Sequence, residues 1–385
     1  MMILLKESVF FILPFIGILT LVVFIHELGH YLPGYFLGVG MDTFSIGFGP
    51  ELIGRTDTHG TRWKICLIPL GGYVRFLGDA SADSTPQDNI ENTLSLEDQK
   101  KCLHLRSPWQ RILVYIGGPL ANYVLAFGLL VCIYSQWGLQ STPAEIGGFI
   151  DNSPAQSAGL LTGDRIIMIN DTTIEEFQDI AKYLGQFKGD SLTVTVDRAG
   201  QRLAYPVIPV DMTASSGSAY KKIKLLGIKP SIKSVYKDPL PLGQAIRSAV
   251  SFLERMTYDT SISLWHMVTG QRALDGLSGP VGIASMAHTV SQGEWGTILF
   301  FIALISASLG FFNLLPIPIL DGGRVVLSMI EIMRGGRAIS VKIQEKLMII
   351  GLILMGGILV ISTKNDLKYS QTISNFIKNI VHLKD

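Results

Sequence analysis

Five consecutive residues carry the densest chemistry in this sequence: His26-Glu27-Leu28-Gly29-His30. On a helix of 3.6 residues per turn, positions four apart lie about 40° from each other and one turn up. Both imidazoles can therefore face one ion. The glutamate beside the first histidine is then placed to take a proton from water activated at that ion, the arrangement by which zinc and a carboxylate hydrolyse an amide. Only seven histidines occur in 385 residues, so a chance HExxH is a rare event, on the order of one in a hundred. Two imidazoles and a water leave a tetrahedral zinc short of one protein ligand. Asp321 offers a carboxylate for that place; His59, His104, His266 and His288 compete for it.

The elements that must position these groups are apolar. Charged residues make up 16% of the chain, where about 25% is usual, and the mean hydropathy is +0.37. Disorder and fibrous repeats are excluded, and a wholly soluble chain is disfavoured. With 32 basic and 31 acidic residues, no charge excess exists for nucleic acid to exploit. Three cysteines far apart (Cys66, Cys102, Cys132) form neither a disulfide framework nor a CxxC pair. Long uncharged runs place transmembrane helices at 8–32, 112–136, 295–320 and 347–363. No small-residue cleavage site follows the first, so it reads as a retained helix. The uncharged run 277–293 is too diluted by Gly, Ser and Pro to be a fifth.

Ionisable groups inside a span are costly unless paired, and point to function. Eight basic residues lie between the first two spans and five between the last two, against Lys6 alone at the N-terminus. Those two loops should face the cytoplasm and 135–294 the outside, although four lysines in the 364–385 tail pull the other way. Spans one and three then both run inward. One ends at HExxH and the other at Leu320-Asp321-Gly322-Gly323, which brings Asp321 to the depth of the histidines; none of the four competing histidines lies in a span.

Between the spans, 37–110 mixes glycine with strand formers (Phe44 to Pro50, Ile68 to Phe76), predicting strands and tight turns against the membrane, then a polar loop from 80 to 106. Residues 142–232 read as a small soluble domain. Its segment Ser153-Pro154-Ala155-Gln156-Ser157-Ala158-Gly159-Leu160-Leu161-Thr162-Gly163-Asp164-Arg165-Ile166 resembles the central signature of PDZ domains, which bind peptides by strand addition. Residues 233–294 form an amphipathic juxtamembrane region.

Taken in order, HExxH, Gly117-Gly118-Pro119-Leu120-Ala121-Asn122, the PDZ-like segment, Ser278-Gly279-Pro280-Val281-Gly282-Ile283-Ala284, and Asn313-Leu314-Leu315-Pro316-Ile317-Pro318-Ile319-Leu320-Asp321-Gly322-Gly323 resemble the site-2 protease family of intramembrane zinc metalloproteases. The order is similar to the bacterial regulator of sigma-E protease branch. The resemblance implies a polytopic α-helical membrane protein of four transmembrane helices, with one inserted PDZ-like domain and a membrane-associated β-hairpin at 61–76. It implies zinc on His26, His30 and Asp321, Glu27 as catalytic base, and Asn313 and Asn122 positioning substrate. The implied substrates are single-pass membrane proteins in a bacterial inner membrane, cut in stress signalling or in clearance of signal-peptide remnants, with the PDZ-like domain extracytoplasmic and gating entry. Two features depart from the family. Many branch members carry two PDZ domains, and this chain has room for one. Pro33 follows HExxH and cannot donate to Gly29, so helix one should end or kink just past His30. Two rivals stay open: a membrane-anchored metalloprotease acting on soluble proteins, and a non-catalytic PDZ scaffold with a relic metal site.

Overall fold

The computed structural model describes residues 2–78, 94–150, 152–216, 219–231, 235–271, 274 and 277–381. The expected polar loop at 80–106 therefore falls partly outside the described residues. In chain order, α1 (Met2–Phe36) leads to β1 (Met41–Thr56), β2 (Arg62–Phe76), α2 (Leu96–Gln99) and α3 (Pro108–Gln136). Next come β3 (Gln140–Ser141), β4 (Ile146–Phe149), α4 (Pro154–Ser157), β5 (Arg165–Ile169), β6 (Thr172–Thr173), α5 (Phe177–Leu184), β7 (Leu192–Arg198) and β8 (Gln201–Val207). The rest is β9 (Val210–Ser216), β10 (Ala219–Leu225), β11 (Ile228–Pro230), β12 (Val235–Tyr236), α6 (Leu242–Val268), α7 (Pro280–Ser291), α8 (Trp295–Asn313), α9 (Asp321–Met333) and α10 (Val341–Val381). Two compact units result: Met1–Leu130 with Leu274–Asp385, and Val131–Ala273.

Among the described residues, four helices are long and apolar enough to cross a membrane: Leu13–Phe36, Pro108–Gln136, Trp295–Asn313 and Val341–Leu367. They make this a multi-pass membrane protein. On α10 the apolar side chains from Met348 to Val360 are mostly exposed, as a helix facing acyl chains requires. On α8 the buried residues include a run of small ones, Ala303, Ser306, Ala307 and Gly310, beside Phe301, Ile302 and Phe311. Small residues let helix backbones approach where lipid offers no hydrophobic drive. Ser306 Oγ accordingly donates to the Asn122 carbonyl of α3 at 2.9 Å, and a Cβ on Gly310 would lie 2.8 Å from the Pro119 carbonyl.

Two expectations need correction. The first helix does not end past His30; it stays helical through Pro33 to Phe36. The Gly29 carbonyl, which Pro33 cannot cap with an N–H, instead faces the backbone of Gly117 on α3. A Cβ built on Gly117 would sit 2.0 Å from that oxygen, so only glycine fits. The third span does not reach residue 320. It stops at Asn313, because Pro316 and Pro318 cannot donate helical hydrogen bonds, and Asp321 opens a new helix. Short turns bridge the gap, with Ile317 donating to Leu315 O and Leu320 to Ile317 O.

The β1–β2 pair is a curled hairpin, not a flat one. Residues Thr43 to Ile46 lie between two segments of β2, pairing with Arg62 to Ile65 on one side and Gly72 to Arg75 on the other. The segment from Gly72 to Phe76 is thus an edge. At the far end, aromatic contacts pin the hairpin to α1. Tyr31 meets Phe44 and Trp63 at centroid distances of 5.8 and 5.0 Å, and Trp63 Nε1 donates to Asp57 at 2.9 Å.

The second unit holds a four-stranded sheet in the order β6-β5-β7-β8, with β11 on β4. Its core is Ile146, Leu160, Ile166, Ile169, Ile180, Val194 and Val196, all buried. The β3–β12 pair, Ser141 opposite Val235, joins the two ends of the insert. Asp164, in the Gly-Asp turn before β5, accepts from Arg198 Nε at 2.7 Å, Arg198 Nη2 at 2.8 Å and the Leu161 N–H at 2.8 Å. Burial pushes this carboxyl up, but the guanidinium and the amide more than offset it and hold it below the usual range. A carboxyl so lowered in the folded state stabilises above its unfolded value, about 4, and loses that contribution as pH falls through the folded value. Asp164→Asn should therefore speed amide hydrogen exchange in β5 and β7 at neutral pH. The gap to wild type should narrow as pH falls through the folded value; a gap that stayed constant on acidification would contradict the pairing.

Candidate metal centre

Helix α1 presents His26 and His30 one turn apart, and the first turn of α9 presents Asp321. Asp321 Oδ2 lies 3.2 Å from His26 Nε2 and 3.3 Å from His30 Nε2, and the two Nε2 atoms are 3.2 Å apart. A tetrahedral zinc with bonds of about 2.0–2.1 Å requires ligand atoms roughly 3.3 Å from each other. The triangle fits that edge length. Two imidazole nitrogens and a carboxylate oxygen also form a zinc donor set that leaves one position open. Both histidines are buried. The fold therefore brings together all three residues expected as ligands. Among the described residues this is the one such cluster, so His59, His104, His266 and His288 do not join it.

Neighbouring groups orient each member. His30 Nδ1 lies 2.8 Å from the Val114 carbonyl of α3. It can only donate there, which leaves Nε2 with a lone pair. Gly118 makes room for this ring: a Cβ there would lie 2.3 Å from His30 Nε2. His26 Nδ1 lies 3.2 Å from Asn122 Nδ2. Asp321 is held through α9, whose Gly322 and Gly323 pack against the carbonyls of Leu314 and Ile317 where a Cβ would come within 2.2 Å. Further along α9, Glu331 pairs with Arg111 of α3 at 2.5 Å, both side chains largely buried. Arg324 lies over the Tyr115 ring, 5.6 Å from its centroid.

Glu27 Oε2 accepts from the Val74 N–H at 3.0 Å. The outer edge of the hairpin therefore touches the carboxylate beside the metal ligands. Gly72 permits the approach, since a Cβ there would lie 3.3 Å from Glu27 Cγ and 2.7 Å from Ser45 O. The two asparagines separate. Asn122 is fully buried and touches His26, not an open cleft. Asn313, at the end of α8, donates to Leu309 O of its own helix at 3.0 Å and is not brought against the triad. Sequence reasoning missed Val74 and Val114, which act through backbone atoms that residue type does not reveal. It also missed the Arg111–Glu331 pair, for which a buried-helix arginine was the available signal.

The motif Ser278 to Gly282 has a structural role. Asp366 of α10 accepts from Gly279 N at 3.0 Å, Gly282 N at 2.9 Å and Ser278 Oγ at 3.3 Å. It caps the start of α7, which packs along α1.

The chain is similar to several known proteins. The family model described as peptidase family M50 matches residues 14–358. A protein of Agrobacterium fabrum, whose name assigns it provisionally as a zinc metalloprotease, is 35% identical over 363 residues, covering 93% of this chain and 95% of its own. Metalloprotease MmpA of Caulobacter vibrioides is 32% identical over 375 residues, 91% of this chain and 93% of its own. The solved PDZ domain of the SdrC-like protein from Listeria innocua aligns with 23% of this chain and 92% of its own, at 19% identity and a TM-score of 0.19.

Proposed function

Since this chain belongs to peptidase family M50 and is a zinc metalloprotease by that membership, we propose that it hydrolyses peptide bonds within or near the transmembrane segments of single-pass membrane proteins. The observation that carries the reading is the Nε2–Nε2–Oδ2 triangle built from helices that bear or adjoin membrane spans. His26, His30 and Asp321 would hold the zinc. When bound, zinc supplies Lewis acidity, polarising the scissile carbonyl and making water acidic enough to attack.

Glu27 takes the proton of the attacking water and returns it to the leaving amine nitrogen. Substrate arrives unwound, because a helical peptide bond is shielded by its own side chains. Its backbone pairs with the outer edge of β2 from Gly72 to Phe76, and that edge runs past Glu27. Backbone polar groups cannot be left bare in lipid, so the hairpin supplies partners for the freed peptide. The hairpin lies against the membrane face. Asn313, near the start of the Asp321 turn, meets the substrate rather than the metal.

The insert at 142–232 is PDZ-like, faces outward and limits which substrates enter. A groove of about 150 Å³ lies between α5 and the β10–β11 turn, lined by Phe177, Ile180, Leu184 and Leu226. It suits an apolar peptide end, and β11 beside it offers backbone. The location is a bacterial inner membrane, and the substrate is an anti-sigma factor or a signal-peptide remnant.

The test is cleavage by purified full-length chain of a tagged single-span protein, with and without a folded outer domain. Wild type should cut only the trimmed form. A variant lacking 142–232, whose cut ends are paired across β3 and β12, should cut both. Unchanged selectivity would dispose of the gate, and no cleavage of either form by zinc-loaded protein would dispose of the single-span substrate. A chain that bound no zinc would favour the scaffold reading.

A further inference from the structure

We propose that the buried Arg111–Glu331 ion pair fixes the rotation of α9 about its own axis and so aims the Asp321 carboxylate at the two histidines. Both are positioning residues, acting through Asp321 rather than on the substrate. The inference rests on Asp321 being a zinc ligand.

One face of α3 serves as a common reference for the site. Arg111, Tyr115, Gly118 and Asn122 recur every three or four residues and so share that face. Its further part meets α1, with Gly118 against the His30 ring and Asn122 Nδ2 3.2 Å from His26 Nδ1. Its first turns meet α9. Arg111 Nη2 donates to Glu331 Oε2 at 2.5 Å, and the Arg324 guanidinium lies 5.6 Å from the centroid of the Tyr115 ring. The histidines and the helix that bears Asp321 are thus pinned to the same helix.

At its own start α9 has little to resist rotation. The N-cap, Leu320, makes no side-chain cap, and Gly322 and Gly323 allow close approach without side chains that could interlock. A rotation of about 10° moves an atom ~5 Å from the helix axis by ~0.9 Å, several times the ~0.2 Å tolerance of a zinc bond. Arg324 and Glu331 are seven residues apart, two turns along and only ~20° round the helix. Both contacts with α3 therefore lie on one side of α9 and together oppose that rotation. The pair is poorly suited to stabilising the fold. The Arg111 and Glu331 side chains are 14% and 13% exposed, and Arg111 Nε is buried with no hydrogen-bond partner among the described residues. A desolvated pair with an unsatisfied donor is generally no more stabilising than apolar side chains of similar volume, so what it supplies is placement.

The experiment compares purified full-length wild type with a chain carrying both Arg111→Met and Glu331→Leu. Zinc affinity is measured by competition with a chromophoric chelator, and the melting temperature on metal-free protein. The apolar pair should weaken zinc by about 10- to 100-fold while the metal-free chain melts at or above the wild-type temperature. A pair that served stability alone would give the reverse, a lowered melting temperature with zinc affinity kept. Wild-type zinc affinity in the double variant overturns the proposal. Wild-type affinity in Asp321→Ala would instead remove Asp321 from the metal site, a separate failure. Should the apolar pair not fold, the exchanged pair, Arg111→Glu with Glu331→Arg, keeps the charges balanced and decides. It should bind zinc at least about tenfold more tightly than Glu331→Gln, which leaves the guanidinium without its countercharge; equal affinities in the two overturn the positioning role.

Discussion

Replacing Glu27 by glutamine is expected to cut turnover by roughly 10²- to 10⁴-fold, the usual contribution of a positioned general base, while zinc stays near one per chain. The substitution isolates proton transfer. Glutamine keeps the length of the side chain, and its carbonyl oxygen can still accept from the Val74 N–H that now binds Glu27 at 3.0 Å. The edge of the hairpin should therefore remain in place. His26, His30 and Asp321 are untouched, so the metal has no reason to leave. Zinc content and cleavage of a single-span substrate, measured on the same preparations, separate the outcomes. Full activity in Glu27→Gln would end its assignment as the base. Loss of zinc together with activity would make Glu27 a support of the metal site instead.

Gly118→Ala is expected to weaken zinc by roughly 100-fold or more, beyond the span usual for groups that only orient a ligand. The new Cβ would lie 2.3 Å from His30 Nε2, 2.6 Å from Cε1 and 2.9 Å from Cδ2. The ring must give way, yet its Nδ1 is tethered to Val114 O on the same helix. The methyl therefore strikes the atom that binds the ion. Gly128→Ala, ten residues further along α3, meets nothing within 4 Å and serves as the control. Alanine there should leave zinc unchanged and favour the helix slightly. Retention of wild-type zinc affinity by Gly118→Ala would show that α3 does not hold the His30 ring as described.

The clustering of His26, His30 and Asp321 was legible in the sequence because it depends on two robust regularities. Helical periodicity puts His26 and His30 on one face, and alternating spans carry Asp321 to their depth. What was not legible depends on backbone geometry. Hydropathy runs unbroken from Trp295 to Leu320, so nothing apolar marks the end of α8 at Asn313; the two prolines do, and they start the helix that aims Asp321. Pro33 misled in the opposite direction. Its missing N–H was read as a helix end or kink, whereas the helix runs on to Phe36 and the freed Gly29 carbonyl is accommodated against Gly117 of the neighbouring helix. Asn122 was recognisable as a site residue, but its contact with His26 depends on how closely α3 approaches α1, which the intervening glycines decide. Val74 could have been any residue with an N–H.

The narrow β3–β12 neck has a consequence for how such a chain can diversify. Residues 140–141 and 235–236 face each other as a two-stranded clip, so the whole insert leaves and re-enters through one doorway. Whatever is threaded through it adds only loop-closure entropy, about 0.6 kcal/mol for each doubling of its length. The insert is therefore a cassette. It can be exchanged, shortened or doubled while the clip stays shut.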